Sequence, residues 1–162
     1  MAIETLGFDH IDLTVNDVAR SQPFYEKVLA ELGFGRAPDA GQSVIFHNGI
    51  TSLAIRPARE EVQGAEFDRY RVGLHHLAFR AARRRDVDAF HRFLVDEGLP
   101  VLDAPAEYPE YGPDYYAVFF PDPDGLKLEL AHFPWGYWRR VMTEGADARP
   151  RYPRGRPRSQ NP

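Results

Sequence analysis

The chain has 162 residues, 43% of them hydrophobic and 13% aromatic, enough for one packed domain or two half-domains sharing a core. Its formal charge of −4 argues against a general nucleic-acid binder, whose affinity depends on neutralising phosphates. With no cysteine, no apolar run of membrane-spanning length and no signal pattern in Met-Ala-Ile-Glu-Thr, disulfides and thiolate metal sites are excluded, and a cytoplasmic protein without a membrane partner is expected.

Phe8-Asp9-His10-Ile11-Asp12-Leu13-Thr14-Val15 alternates with period two and reads as a strand with two different faces. Ile11, Leu13 and Val15 form the apolar face; Phe8, His10, Asp12 and Thr14 form the other, which suits the lining of a cavity. Asn16-Asp17 or Ser21 can open a helix carrying Phe24, Val28, Leu29 and Leu32, with Gly33 at its stop. A weak strand near Arg36 and the strand Ser43–His47 follow, with a hairpin turn at Asn48-Gly49 into Thr51–Arg56.

The pattern then recurs. Gly73-Leu74-His75-His76-Leu77-Ala78-Phe79-Arg80 resembles the first strand, and His76 stands 66 positions after His10. Phe90 follows Phe24, and Glu97 follows Glu31, by the same 66, within a helix that Asp86 or Asp88 could open and Gly98 close. A short strand near Val101, a proline-rich loop over 103–114, and strands at Tyr115–Phe120 and Leu126–Leu130 complete the second unit. The expected boundaries are a first module at 1–57, a linker at 58–72, a second module at 73–133 and a C-terminal extension at 134–162. In that extension Trp135, Tyr137, Trp138, Val141 and Met142 suit a short docking helix, and the Arg- and Pro-rich residues from about 147 are expected to be disordered.

Three residues suit a metal. His10 and, by the repeat offset, His76 share a face type on their strands, whereas His75 falls on the face of Leu77 and Phe79. Along the last strand, Leu126, Leu128 and Leu130 take one face and leave Glu129 on the other, where a buried carboxylate needs a cation or a donor. Two imidazoles and one carboxylate form an N,N,O set that grips one side of a divalent ion and leaves the other open.

His10-Ile11-Asp12-Leu13-Thr14-Val15, followed by Phe24-Tyr25 and Leu32-Gly33-Phe34, resembles the first module of the vicinal oxygen chelate superfamily. This superfamily includes glyoxalase I, fosfomycin- and bleomycin-resistance proteins, methylmalonyl-CoA epimerase and extradiol dioxygenases. His76-Leu77-Ala78-Phe79 resembles the opening of its second module, and Asp122-Pro123-Asp124-Gly125 with Glu129 resembles its ending. The resemblance covers roughly residues 5 to 133. It implies an α+β fold, two tandem βαβββ modules forming a curved eight-stranded cup, and one divalent metal ion (iron, manganese, zinc, nickel, cobalt or magnesium) held by His10, His76 and Glu129. It also implies a small-molecule substrate and, by analogy, a homodimer.

Two departures narrow the resemblance. Bacterial glyoxalase I carries a second glutamate ligand at the end of its first module, where this chain has Leu53 and Ala54. Fosfomycin-resistance enzymes and extradiol dioxygenases carry an inward tyrosine ten residues before the glutamate ligand, where this chain has Phe119, which has no proton to donate. Tyr115 and Asp12 are the candidate proton-transfer groups, and Arg56, Phe119 and Trp135 the candidate substrate contacts. The expected function is lyase, isomerase or addition chemistry on a small oxygen-rich substrate. An iron-dependent extradiol dioxygenase and a non-catalytic, bleomycin-resistance-like binder are the alternatives.

Overall fold

The computed structural model describes residues 5, 7–38, 41–134, 136 and 142–143. Trp135, Trp138 and the tail from 147 lie outside the described residues. The chain divides into two compact units, Met1–His76 with Pro121–Lys127, and Leu77–Phe120 with Leu128–Pro162. Residues 58–72, read from sequence as a linker, belong to the first unit.

In the first unit the period-two stretch folds as β1 (His10–Val15), with Leu13 and Val15 buried and His10, Asp12 and Thr14 exposed. Asp17 then caps α1 (Val18–Glu31), its Oδ1 accepting from the backbone N–H groups of Ala19 and Arg20. Ser21, Phe24, Tyr25, Val28 and Leu29 are buried, the three- and four-residue spacing that puts one helical stripe against a sheet. The helix ends in a Schellman motif: Gly33 at φ 83° donates to the Ala30 carbonyl and Phe34 N–H to that of Leu29.

The sheet order is β1-β4-β3-β2, with β2 at Gly35–Arg36, β3 at Val44–His47 and β4 at Ser52–Pro57. The β1–β4 pair is parallel, as a strand–helix–strand connection makes natural, and the others are antiparallel. The hairpin turn is longer than a two-residue loop. Asn48 Oδ1 accepts from both Ile50 and Thr51 N–H, which stretches the connection over Asn48–Thr51 before β4 begins.

The second unit repeats this order as β5-β8-β7-β6, with β5 at Leu77–Ala81, β6 at Asp103–Glu107, β7 at Tyr116–Pro121 and β8 at Lys127–His132. Its helix α2 (Arg84–Asp96) buries Val87, Phe90 and Leu94 and closes on the same motif, with Gly98 at φ 65°. Among the described residues these eight strands and two α-helices form two βαβββ units of the α+β class.

Three local expectations are corrected. The cap of α2 is Arg83, without a side-chain bond; Asp86 sits in the first turn, where its charge suits the helix's positive end, and it pairs with Arg83 at 3.0 Å. The strand expected near Val101 lies at Asp103–Glu107, inside the stretch read as loop. It includes Pro105, which an edge strand tolerates, with a register shift between Asp103 and Ala106. The remaining loop is pinched shut at its base, where Tyr108 N–H donates to the Tyr115 carbonyl at 2.9 Å.

Candidate functional site

The parallel pairing in each unit fixes which residues share a face. In the first unit His10, Asp12 and Thr14 stand beside Ser52, Ala54 and Arg56. In the second, Ala78 stands beside Glu129 and Arg80 beside Ala131. Asp12 and Ala78 occupy equivalent strand positions 66 apart, so the register makes Ala54 the counterpart of Glu129. The first unit therefore has a methyl group at the position where the second has a carboxylate.

On the first unit's polar face, Arg56 Nε donates to Asp12 Oδ2 at 2.6 Å. Arg56 is therefore paired with the neighbouring strand, and Asp12 is oriented by it. The His10 ring is exposed, and its Nδ1 lies 2.9 Å from Asp9 Oδ2. The bond to Asp9, with the Asp12 charge behind it, raises the imidazole's pKa above its ordinary value. In the neutral ring, a carboxylate holding the Nδ1 proton leaves Nε2 as the lone-pair nitrogen, one of the two tautomers in which histidines bind metals.

His76 immediately precedes β5 and is half-buried. Its pKa is lowered, first by burial and then by the neighbouring His75, Lys127 and Arg69. The neutral imidazole is thus favoured, the form a metal needs. Its Nδ1 is 2.7 Å from that of His75, and the two rings meet nearly edge-on with centroids 5.0 Å apart.

Glu129 is the most enclosed of the candidate residues, 1% exposed on β8. The Tyr115 hydroxyl donates to its Oε1 at 2.5 Å. Tyr115 and Tyr108 pack against Ala117, Phe119 and Ala131, and Phe133 packs against Tyr115 at 5.4 Å. Burial, and then the bond to Glu129, pushes the Tyr115 hydroxyl far above its usual range, and burial pushes Tyr108 up to about 12. Phe119 meets Tyr108 edge-on at 5.1 Å within this cluster. Tyr108, Tyr111 and Phe133 escaped the sequence reading because loop aromatics carry no periodicity. The tyrosines at 108, 111 and 115 were the available signal.

A second polar system lies in the first unit. Asp124 accepts from Asn16 N–H at 2.8 Å and Asn16 Nδ2 at 3.0 Å, and it pairs with Arg20. Asn16, Arg20 and Asp124 line a groove of about 380 Å³ together with Glu66, so the polar walls of that groove are largely spent on one another.

His10 and His76 belong to the first unit and Glu129 to the second. Among the described residues no three His, Asp or Glu side chains are gathered so as to hold one ion. Taken singly, the donor set fits a divalent cation: a buried carboxylate, an imidazole kept neutral by burial, and an imidazole with its Nδ1 engaged by a carboxylate.

The family model of the Glyoxalase/Bleomycin resistance protein/Dioxygenase superfamily matches residues 7–130. The chain belongs to this superfamily. It is 36% identical over 121 residues to the uncharacterized protein YqjT of Bacillus subtilis, covering 75% of this chain and 94% of that protein. It is 30% identical over 125 residues to the metallothiol transferase FosB of Bacillus licheniformis, covering 77% and 74%. Among solved structures it is similar to a candidate glyoxalase from Bacillus halodurans, with a TM-score of 0.67 and 31% identity over 78% of this chain and 95% of that one. The superfamily's two-module architecture accounts for the 66-residue repeat. None of the helices among the described residues is long and apolar enough to cross a membrane.

Proposed function

We propose that this chain is a metal-dependent enzyme in which His10, His76 and Glu129 hold one divalent ion and a small oxygen-rich substrate completes the coordination. The observation that carries the reading is Glu129, a carboxylate 1% exposed on a strand, in a superfamily whose members typically bind such an ion. Bound there, the ion would act as a Lewis acid on a substrate oxygen. The chain's own residues orient and exclude. Asp12, held by Arg56, is the proposed base, and the Arg56 guanidinium is the proposed contact for an anionic substrate group. Phe119 supplies apolar wall without a donor. The similarity to a metallothiol transferase favours group-transfer or addition chemistry over ring cleavage. Superfamily members often dimerise, and a cytoplasmic homodimer is proposed here by analogy.

Elemental analysis of the purified protein tests the reading. About one equivalent of a divalent metal is expected in the parent chain, with loss in His10→Ala and Glu129→Gln. Equal metal content in all three would overturn it. A second reading, a non-catalytic binder of small molecules, takes its support from the superfamily, whose description includes bleomycin resistance proteins. Tight binding of a bleomycin-type ligand by metal-stripped protein, with no turnover on reloading, would select it.

A further inference from the structure

Within the second unit the Glu129 carboxylate is not left to orient itself. The Tyr115 hydroxyl donates to Oε1 at 2.5 Å, a length typical of a strong bond to a carboxylate. A tyrosine has one hydroxyl proton, so while that bond stands Tyr115 has none to give a substrate. The ring that carries the hydroxyl is fixed by its neighbours. It meets Tyr111 edge-on at 5.3 Å and Phe133 at 5.4 Å, and it packs against Ala117, Phe119 and Ala131. The Tyr108 N–H to Tyr115 carbonyl bond then closes the loop that presents it.

We infer that Tyr115 is a positioning residue for Glu129, holding Oε1 and so fixing the orientation in which the carboxylate meets a metal ion. The inference rests on the metal-dependent reading and deepens it. It replaces the proton-donor role expected for Tyr115 with an orienting one, and it leaves Asp12 as the proposed proton-transfer group. Partners that hold a metal ligand in place typically change metal affinity about 10- to 100-fold when removed.

The test uses Co²⁺ alone as the probe, titrated into metal-stripped full-length protein and followed by its visible absorption, with thermal unfolding in parallel. Glu129→Gln is the ligand control and Tyr108→Phe the packing control. The expected result is Co²⁺ binding by the parent chain, none by Glu129→Gln, and parent-like binding by Tyr108→Phe. Tyr115→Phe should bind about 10- to 100-fold more weakly, with a shifted spectrum and a nearly unchanged unfolding midpoint. Parent-like affinity and spectrum in Tyr115→Phe would overturn the inference while leaving the metal site standing, as would equal weakening in Tyr108→Phe. Failure of the parent chain to bind Co²⁺ would overturn the metal-dependent reading and the inference with it. A measurement that needs neither metal nor a stable Tyr115→Phe variant is the proton spectrum of the metal-free parent and Glu129→Gln. A slowly exchanging downfield hydroxyl proton, present in the parent and lost in Glu129→Gln, is expected; its absence from the parent would overturn the inference.

Discussion

The Tyr25 hydroxyl donates to Asp122 Oδ2 at 2.7 Å, joining the middle of α1 to the turn that precedes β8, 97 positions later. The same carboxylate closes its own turn, Oδ1 accepting from Asp124 N–H at 2.9 Å and Leu126 N–H at 2.7 Å. Asp122 is 5% exposed, so all three donors depend on it in a place water barely reaches. Asp122→Ala should cost about 1–3 kcal/mol for each donor left without a partner, and Tyr25→Phe less, since it removes one donor while Asp122 keeps both backbone N–H groups. Urea unfolding of the two variants beside the parent checks the ordering; a larger loss in Tyr25→Phe would contradict it.

The same carboxylate sets a pH dependence. Burial raises the Asp122 pKa above its usual range, although the bonds from Tyr25, Leu126 and Asp124 pull it down. A group with a raised folded-state pKa favours the fold most when protonated, below the ordinary carboxylate value of about 4, and that contribution is lost as pH climbs through the raised value. Asp122→Asn keeps an acceptor for both backbone donors and does not titrate. Its stability, relative to the parent, should therefore improve as pH rises from about 4 toward neutrality. A constant difference across that window would show that Asp122 does not carry the effect.

Helix α1 gives a cleaner energetic test because its cap is visible in the sequence. Asp17 Oδ1 accepts from Ala19 N–H at 2.8 Å and Arg20 N–H at 3.3 Å, and Asp17→Ala should cost about 1 kcal/mol. For a chain of this size that is a fall of about 2–4 °C in unfolding temperature. Asp86, one of the two aspartates read from sequence as a possible start of α2, pairs with the exposed Arg83 side chain, and Asp86→Ala should leave the midpoint close to the parent's. Comparable losses in the two variants would refute the distinction.

Those two aspartates show what was legible and what was not. Strand alternation, helical stripes and glycine stops are local signals, and they located β1, α1 and the repeat. A cap is also local, yet Asp86 misled because an acidic residue suits the first turn as well as the position before it. The prolines of 103–114 suggested loop, but Pro105 lies in β6, an edge strand with one side unpaired, which the sequence does not announce. His10 and His76 could be named as candidates from the 66-residue repeat, and Glu129 from strand alternation alone, since its counterpart in the first unit is Ala54. The bond from Tyr115 to Glu129 was not readable, because it depends on how a 14-residue separation folds back across β7 and β8.

Gly112 tests how tightly that fold-back is built. It sits at φ 151°, and a Cβ there would lie 2.5 Å from Phe133 Cε2. Phe133 in turn packs on Tyr115, so a displaced Phe133 ring bears on the residue that holds Glu129. Gly112→Ala combines backbone strain with a displaced ring and should lower stability by about 1–3 kcal/mol. It should also weaken Co²⁺ binding, which a strain confined to the backbone would not do. An unfolding curve and a Co²⁺ titration on the same preparation separate the two, and unchanged metal affinity would detach Phe133 from the orientation of Glu129.

Phe119 completes the argument from the apolar side. It is 2% exposed, meets Tyr108 edge-on at 5.1 Å, and fills the space beside Ala117 and Ala131, two residues too small to close over a gap. Phe119→Ala should therefore cost about 3–5 kcal/mol, near the upper range for core truncations, because its small neighbours cannot collapse into the void. Phe119→Tyr probes the same position with the opposite change. It adds a hydroxyl beside the apolar Ala117 and Ala131, and an unpaired hydroxyl there costs about 1–3 kcal/mol. If instead Phe119→Tyr is as stable as the parent, the new hydroxyl has found an acceptor. Asp103 is the register partner of Phe119 and Glu129 stands on the neighbouring strand, so a rise in the Co²⁺ affinity of a Tyr115→Phe/Phe119→Tyr double variant over Tyr115→Phe alone would identify Glu129 as that acceptor. Stability loss without that rescue is the expected outcome, since the Phe119 ring is packed among Tyr108, Ala117 and Ala131.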